Sequence, residues 1–151
     1  SYPALLDGLS REASSGRGLG ESIFRRAAFN IAIGNTDDHV RNHAAFWDGA
    51  HLELTPAYDL SPILRGGETA SQALALTWAG DRTSSLAVLV AAAADYKLDR
   101  ATARSIAAEI VSAIRDHWAD AADFGKLTQT QRALMWGRMF LNPDSVRGMS
   151  A

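Results

Sequence analysis

Ile33-Gly34-Asn35-Thr36-Asp37-Asp38-His39-Val40-Arg41-Asn42-His43 is the stretch that decides how this chain is read. Behind it, Ile23, Phe24, Ala27, Ala28 and Ile31 recur at helical spacing, predicting a helix over 21–33. Gly34 and Asn35 stop that helix, since both tolerate the left-handed conformation of a C-cap. Ahead of it, His43–Trp47 and His51–Leu54 read as two extended runs joined through Asp48-Gly49, a hairpin signal. Pro56 and Pro62 then bracket Ala57-Tyr58-Asp59-Leu60-Ser61, an ordered loop and not a helix interior.

Outward from this centre the pattern is helical. Residues 1–20 form a leading segment with an apolar patch (Leu5, Leu6, Leu9) that ends in Ser14-Ser15-Gly16-Arg17-Gly18-Leu19-Gly20. That Gly/Ser run reads as a flexible connection; its glycine spacing fits no phosphate-binding fingerprint. Residues 71–78 are ambiguous, with a short strand preferred. Thr83 or Ser84 can cap a helix through Ala94, and Asp99 can cap a long one with an Ala103, Ile106, Ala107, Ile110, Val111, Ile114 stripe. Thr128 and Gln131 form a capping box for a last helix ending near Leu141. Trp78, Trp118, Trp136 and Phe140 are assigned to the core. The expected fold is a single domain over 1–151, mainly α with a small β-hairpin: loops at 35–62 and a helical subdomain at 83–142.

Composition excludes several classes. A chain of 151 residues, 47% hydrophobic and 21% charged, is an ordinary globular one. Its formal net charge of -2 leaves no basic footprint for nucleic acid or an anionic membrane. With no cysteine there is neither a disulfide nor a thiolate metal site, and a reducing cytoplasm is permitted. No apolar run approaches the roughly 20 residues of a membrane span. The chain opens Ser1-Tyr2-Pro3-Ala4, without an initiator Met or signal pattern, so it is expected to be a piece of a longer protein.

The polar residues crowd the hairpin. An antiparallel hairpin returns the chain to its starting point, so Asp59 should lie near Asn42 and bring Asp37, Asn42 and Asp59 together. Two carboxylates and an amide carbonyl make an all-oxygen set suited to Mg²⁺ shared with substrate phosphates. Asp37 and Asn42 are five positions apart, with a hairpin and then Asp59 following. Protein-kinase catalytic loops space their base and metal-binding Asn in the same way, with a second metal-binding Asp after a hairpin.

The words themselves, Phe29-Asn30, Ile33 to His43 as quoted, and Leu54-Thr55-Pro56-Ala57-Tyr58-Asp59-Leu60-Ser61-Pro62, resemble the HipA family of bacterial serine/threonine kinases. The resemblance is strong over 21–64 and weaker beyond. It implies the kinase C-terminal lobe of the HipA type, with Asp37 the catalytic base and Asn42 and Asp59 the Mg²⁺ ligands. His39 and Asp38 would be loop-shaping neighbours. It further implies ATP as co-substrate, a protein Ser/Thr hydroxyl as acceptor, and a toxin held in check by a DNA-binding antitoxin of the HipB type. The family's nucleotide-binding lobe would lie upstream of residue 1, leaving this portion inactive by itself.

Two other readings stand beside this one. Asp37, Asp38, His39 and His43 could hold the metal of a phosphohydrolase. That geometry needs a helix through 39–43, whereas an extended segment would set the two histidines about 13 Å apart. A non-catalytic module that binds a partner through its helical half is the third. In bland terms, Asp37-Asp38-His39 could be a solvated turn, Arg41 a solvated or carboxylate-pairing residue, Asp48 and Asp81 turn residues, and His51 and His117 surface side chains.

Overall fold

In a computed structural model of the chain, the described residues are 1–13, 18–64, 66–67 and 69–149. Six α-helices and one two-stranded antiparallel sheet are present among them. The Gly/Ser connection at 14–17 lies outside the described residues.

Helix α2 (Leu19–Ile33) is the axis of the fold. Its apolar residues cover more than one face: Ile23, Phe24, Ala27, Ala28, Ile31 and Ala32 are all at 0% exposure. A helix buried on several sides needs neighbours on several sides. They are α1 (Tyr2–Glu12), α3 (Leu86–Ala91) and α4 (Arg100–Phe124). Each fully buried Ile or Phe contributes roughly 1.5–3 kcal/mol by leaving water, so α2 is the main source of cohesion.

Part of the leading segment is helical. Residues 2–12 are helix α1, with Ser1 as N-cap accepting from the Ala4 amide and with Tyr2, Pro3 and Leu6 buried. Its end touches the hairpin through a bridge between Ala13 and Leu52.

Helix α2 stops where Gly34 and Asn35 predict. Gly34 has φ +74°, and the Asn35 amide closes back onto the Asn30 carbonyl at 2.8 Å, a six-to-one C-cap bond. A Cβ on Gly34 would stand 2.7 Å from the Met139 carbonyl oxygen, so glycine also lets the C-terminal turn approach.

Strands β1 (Ala45–Trp47) and β2 (Leu52–Leu54) pair as Ala45–Leu54, Phe46–Glu53 and Trp47–Leu52. They are shorter than the predicted runs. Asp48 closes the turn by accepting from the Ala50 and His51 amides at 2.8 and 2.7 Å.

Two of the capping predictions hold in the second half. Asp99 accepts from the Thr102 amide and opens α4; Thr128 and Gln131 form a reciprocal box on α5 (Gln129–Met135). Three expectations are corrected. Residues 71–78 form no strand beyond a bridge between Ser71 and Thr83. The helix after Ser84 begins only at Leu86, capped by Ser85 without a side-chain bond, and gives way to a 3-10 turn at Ala93–Tyr96. The last long helix ends at Met135, because Gly137 at φ +75° turns the chain, and α6 (Pro143–Val146) follows. Trp118, Trp136 and Phe140 pack on one another at centroid distances of 5.3 and 4.9 Å. Trp136 is nonetheless 38% exposed and Trp78 58%, and Trp118 and Phe140 are only half-buried, so none of the four belongs to the buried core.

Candidate functional site

The loop from Asn35 to His43 leaves the end of α2 and closes in a 3-10 turn, Val40–Asn42. It is fastened from several sides. The Thr36 carbonyl accepts from the Ala73 amide at 2.8 Å. The Gly34 carbonyl accepts from Ile63 at 3.2 Å. The Tyr58 hydroxyl donates to the Arg41 carbonyl at 2.9 Å, and Asn35 Nδ2 donates to the Asp59 carbonyl at 3.2 Å. The loop before the hairpin and the loop after it are thus joined, as the return of an antiparallel hairpin requires.

Two neighbouring aspartates take opposite environments. Asp38 is 3% exposed, whereas Asp37 is on the surface. Three groups converge on Asp38 Oδ2: the Tyr2 hydroxyl, Asn30 Nδ2 at 2.7 Å and His43 Nε2 at 3.1 Å. With Oδ2 as shared acceptor, His43 presents its Nε2–H tautomer. Burial first, then the charge of Asp38, raises the Tyr2 phenol well above its ordinary 10.0, so its proton stays in place as a donor. Asn30 Nδ2 also reaches the Tyr2 oxygen at 3.3 Å, and Asn35 Nδ2 donates to Asn30 Oδ1 at 3.0 Å. Asn30, Asn35, Asp38 and the Tyr2 hydroxyl are bonded within this buried cluster, whereas His43 Nδ1 is buried without a partner among the described residues.

Arg26 of α2 supports the far end of the hairpin by donating to the Thr55 carbonyl. Desolvation lowers its pKa from the usual arginine range, opposed by the charge of Asp38.

Asp37, Asn42 and Asp59 are different. The side chains of Asp37 and Asn42 make no hydrogen bond or ion pair to the described residues, and Asp59 Oδ1 meets only Ser61 Oγ at 3.5 Å. Asn42 is 7% exposed at the end of the 3-10 turn, and Asp59 is exposed with φ +56°. Their oxygens are not consumed by the fold. All are hard ligands, so the donor set fits Mg²⁺ and not a thiophilic metal. Cavities of about 350 Å³, between Gly66-Gly67 and the 137–147 turn, and about 300 Å³, between α2 and α4, are lined by other residues.

The four-residue set Asp37, Asp38, His39, His43 does not assemble. The chain between the histidines is a 3-10 turn, not the extended segment expected, and His43 directs Nε2 to Asp38. Among the described residues no group of three or more His, Cys, Asp or Glu could hold a metal ion; the set with Asn42 contains only two acids.

Sequence reading missed Tyr2, Asn30 and Asn35 as site residues. Asn30 carried a signal: a polar side chain three positions after Ala27, on the stripe that α2 buries. Tyr2 carried none, being 36 positions from Asp38. Asn35 was read only as a helix stop.

In comparison with known proteins, the model of a family described as HipA-like C-terminal domain matches residues 1–118. No curated protein and no solved structure matches the chain.

Proposed function

The chain belongs to the HipA-like C-terminal domain family, and from that premise we propose that it is the metal-binding catalytic portion of an ATP-dependent serine/threonine protein kinase. The observation that carries the reading is the division of labour in the 35–43 loop. Asp38, His43, Asn30 and Asn35 bind one another, while the side chains of Asp37 and Asn42 have no partner among the described residues. An exposed acid and an uncommitted amide beside a buried polar network suit ligand binding.

Asp37 would orient a protein Ser or Thr hydroxyl and accept its proton as the oxygen bonds to the γ-phosphorus, ADP departing with the bridging oxygen. Asn42 and Asp59 would hold Mg²⁺, which neutralises phosphate charge when bound with ATP. Most of the rate enhancement would come from positioning, so the nucleotide-binding lobe implied by the family resemblance has to be present. The same resemblance supports reading the parent as a toxin restrained by a DNA-binding antitoxin, and the absence of cysteine is compatible with a cytoplasmic setting.

The test uses the full-length protein that carries this chain, with Mg²⁺ and γ-labelled ATP. Label should pass to its own Ser or Thr residues or to casein, and Asp37→Ala or Asp59→Asn should abolish the transfer. Absence of transfer in the unaltered protein, or near-normal transfer by Asp37→Ala, would refute the reading.

A further inference from the structure

Asn35 is 2% exposed, and its amide nitrogen uses both hydrogens: one on Asn30 Oδ1 at 3.0 Å, the other on the Asp59 carbonyl at 3.2 Å. Asn30 does likewise, to Asp38 Oδ2 at 2.7 Å and the Tyr2 oxygen at 3.3 Å. One chain of side-chain bonds therefore runs from Asp38, next to Asp37, through two asparagines to Asp59. A hydroxyl carries one hydrogen and a carboxylate none, so neither could make both bonds of Asn35. The residue it grips is unusual. Asp59 has φ +56°, a left-handed conformation that costs most residues with a Cβ and that Asp tolerates better than most, and the Asn35 bond to its carbonyl helps hold it there.

We propose that Asn35 is a positioning residue: it sets where the Asp59 carboxylate stands relative to the Asp37–Asn42 loop, and so governs the affinity of the site for a divalent cation. The proposal rests on the Mg²⁺ reading above. Asn35 acts through the backbone of Asp59 and touches no ligand itself. Tyr2 acts one link further away, through Asn30 and Asp38.

The variant is Asn35→Leu, close to Asn in shape, neutral, and without a donor. In the full-length protein it should raise the Mg²⁺ concentration for half-maximal phosphotransfer about tenfold, with kcat largely recovered at saturating Mg²⁺ and KM for ATP little changed. Tyr2→Phe, which removes one oxygen atom, should move it two- to threefold in the same direction and serves if Asn35→Leu does not fold. Ile110→Ala, a core truncation in α4, lowers stability without touching this chain of bonds. It should leave the Mg²⁺ dependence in place, which separates positioning from mere loss of structure. Mn²⁺ binding followed by electron paramagnetic resonance gives a second readout independent of turnover. If the unaltered protein transfers no phosphate, the kinase reading falls, and weaker Mn²⁺ binding in Asn35→Leu would still support the positioning role. A folded variant, Asn35→Leu or Tyr2→Phe in its place, with unaltered Mg²⁺ and Mn²⁺ dependence would overturn it, as would absence of Mn²⁺ binding in the unaltered protein.

Discussion

Asp37 and Asp38 are adjacent carboxylates with opposite assignments. Asp38 is buried and accepts from Tyr2, Asn30 and His43, so Asp38→Ala strands three polar groups away from water. Each stranded group costs roughly 1–3 kcal/mol; some relaxation leaves an expected loss of about 3 kcal/mol and a clearly lowered Tm. Asp37→Ala should leave Tm within about 1 °C of the unaltered protein, because an exposed side chain without a partner contributes little to folding. Thermal melts of the two variants side by side test this. Equal destabilisation would mean that Asp37 has a structural role. The sequence pointed to this loop but could not rank its acids for burial. Spacing made Asp37 and Asn42 candidates for a chemical pair, whereas the burial of Asp38 depends on Tyr2, a residue brought in by the folding of α1 and invisible to any local pattern.

At the scale of elements, glycine separates close approach from simple helix propensity. Gly20 lies in the first turn of α2, where an added Cβ would stand 2.0 Å from the Tyr96 carbonyl oxygen. Gly8 lies in the middle of α1 with nothing within 4 Å of the same position. Gly8→Ala should therefore stabilise the chain by about 0.5–1 kcal/mol through helix propensity. Gly20→Ala should reverse the sign, destabilising by about 2 kcal/mol or more, since the obstruction is backbone and cannot swing aside. Denaturant titrations of both would show opposite shifts in midpoint; a stabilised Gly20→Ala would mean that α2 and the Ala93–Tyr96 turn are further apart. Elements whose signals are local were legible in advance: the stop at Gly34, the turn at Asp48-Gly49, the cap at Asp99, the Thr128–Gln131 box. Residues 71–78 were not, because their alternating apolar pattern serves burial of Leu74 and Leu76 on the helices without a partner strand. Helix α1 was not legible because Leu5, Leu6 and Leu9 alone span too short a stretch to fix a helical period.

At the scale of the molecule, α2 joins stability to chemistry. The helix that buries Ile23, Phe24, Ala27, Ala28, Ile31, Ala32 and Ile33 also supplies Asn30 to the polar cluster and ends at Gly34, where the 35–43 loop begins. The isolated chain should accordingly fold cooperatively, yet bind Mg²⁺–ATP only weakly by calorimetry, since Mg²⁺ keeps its waters until phosphates add further ligands. Tight binding would mean that no second lobe is needed. The central claim is that Asn42 and Asp59 hold one cation beside Asp37. The most direct measurement is anomalous diffraction from crystals of the full-length protein grown with Mn²⁺ and a non-hydrolysable ATP analogue. A peak about 2 Å from both Asn42 Oδ1 and an Asp59 carboxylate oxygen, with the γ-phosphate facing Asp37, is the predicted result. Nucleotide bound with its metal peak distant from Asn42 and Asp59 would contradict it.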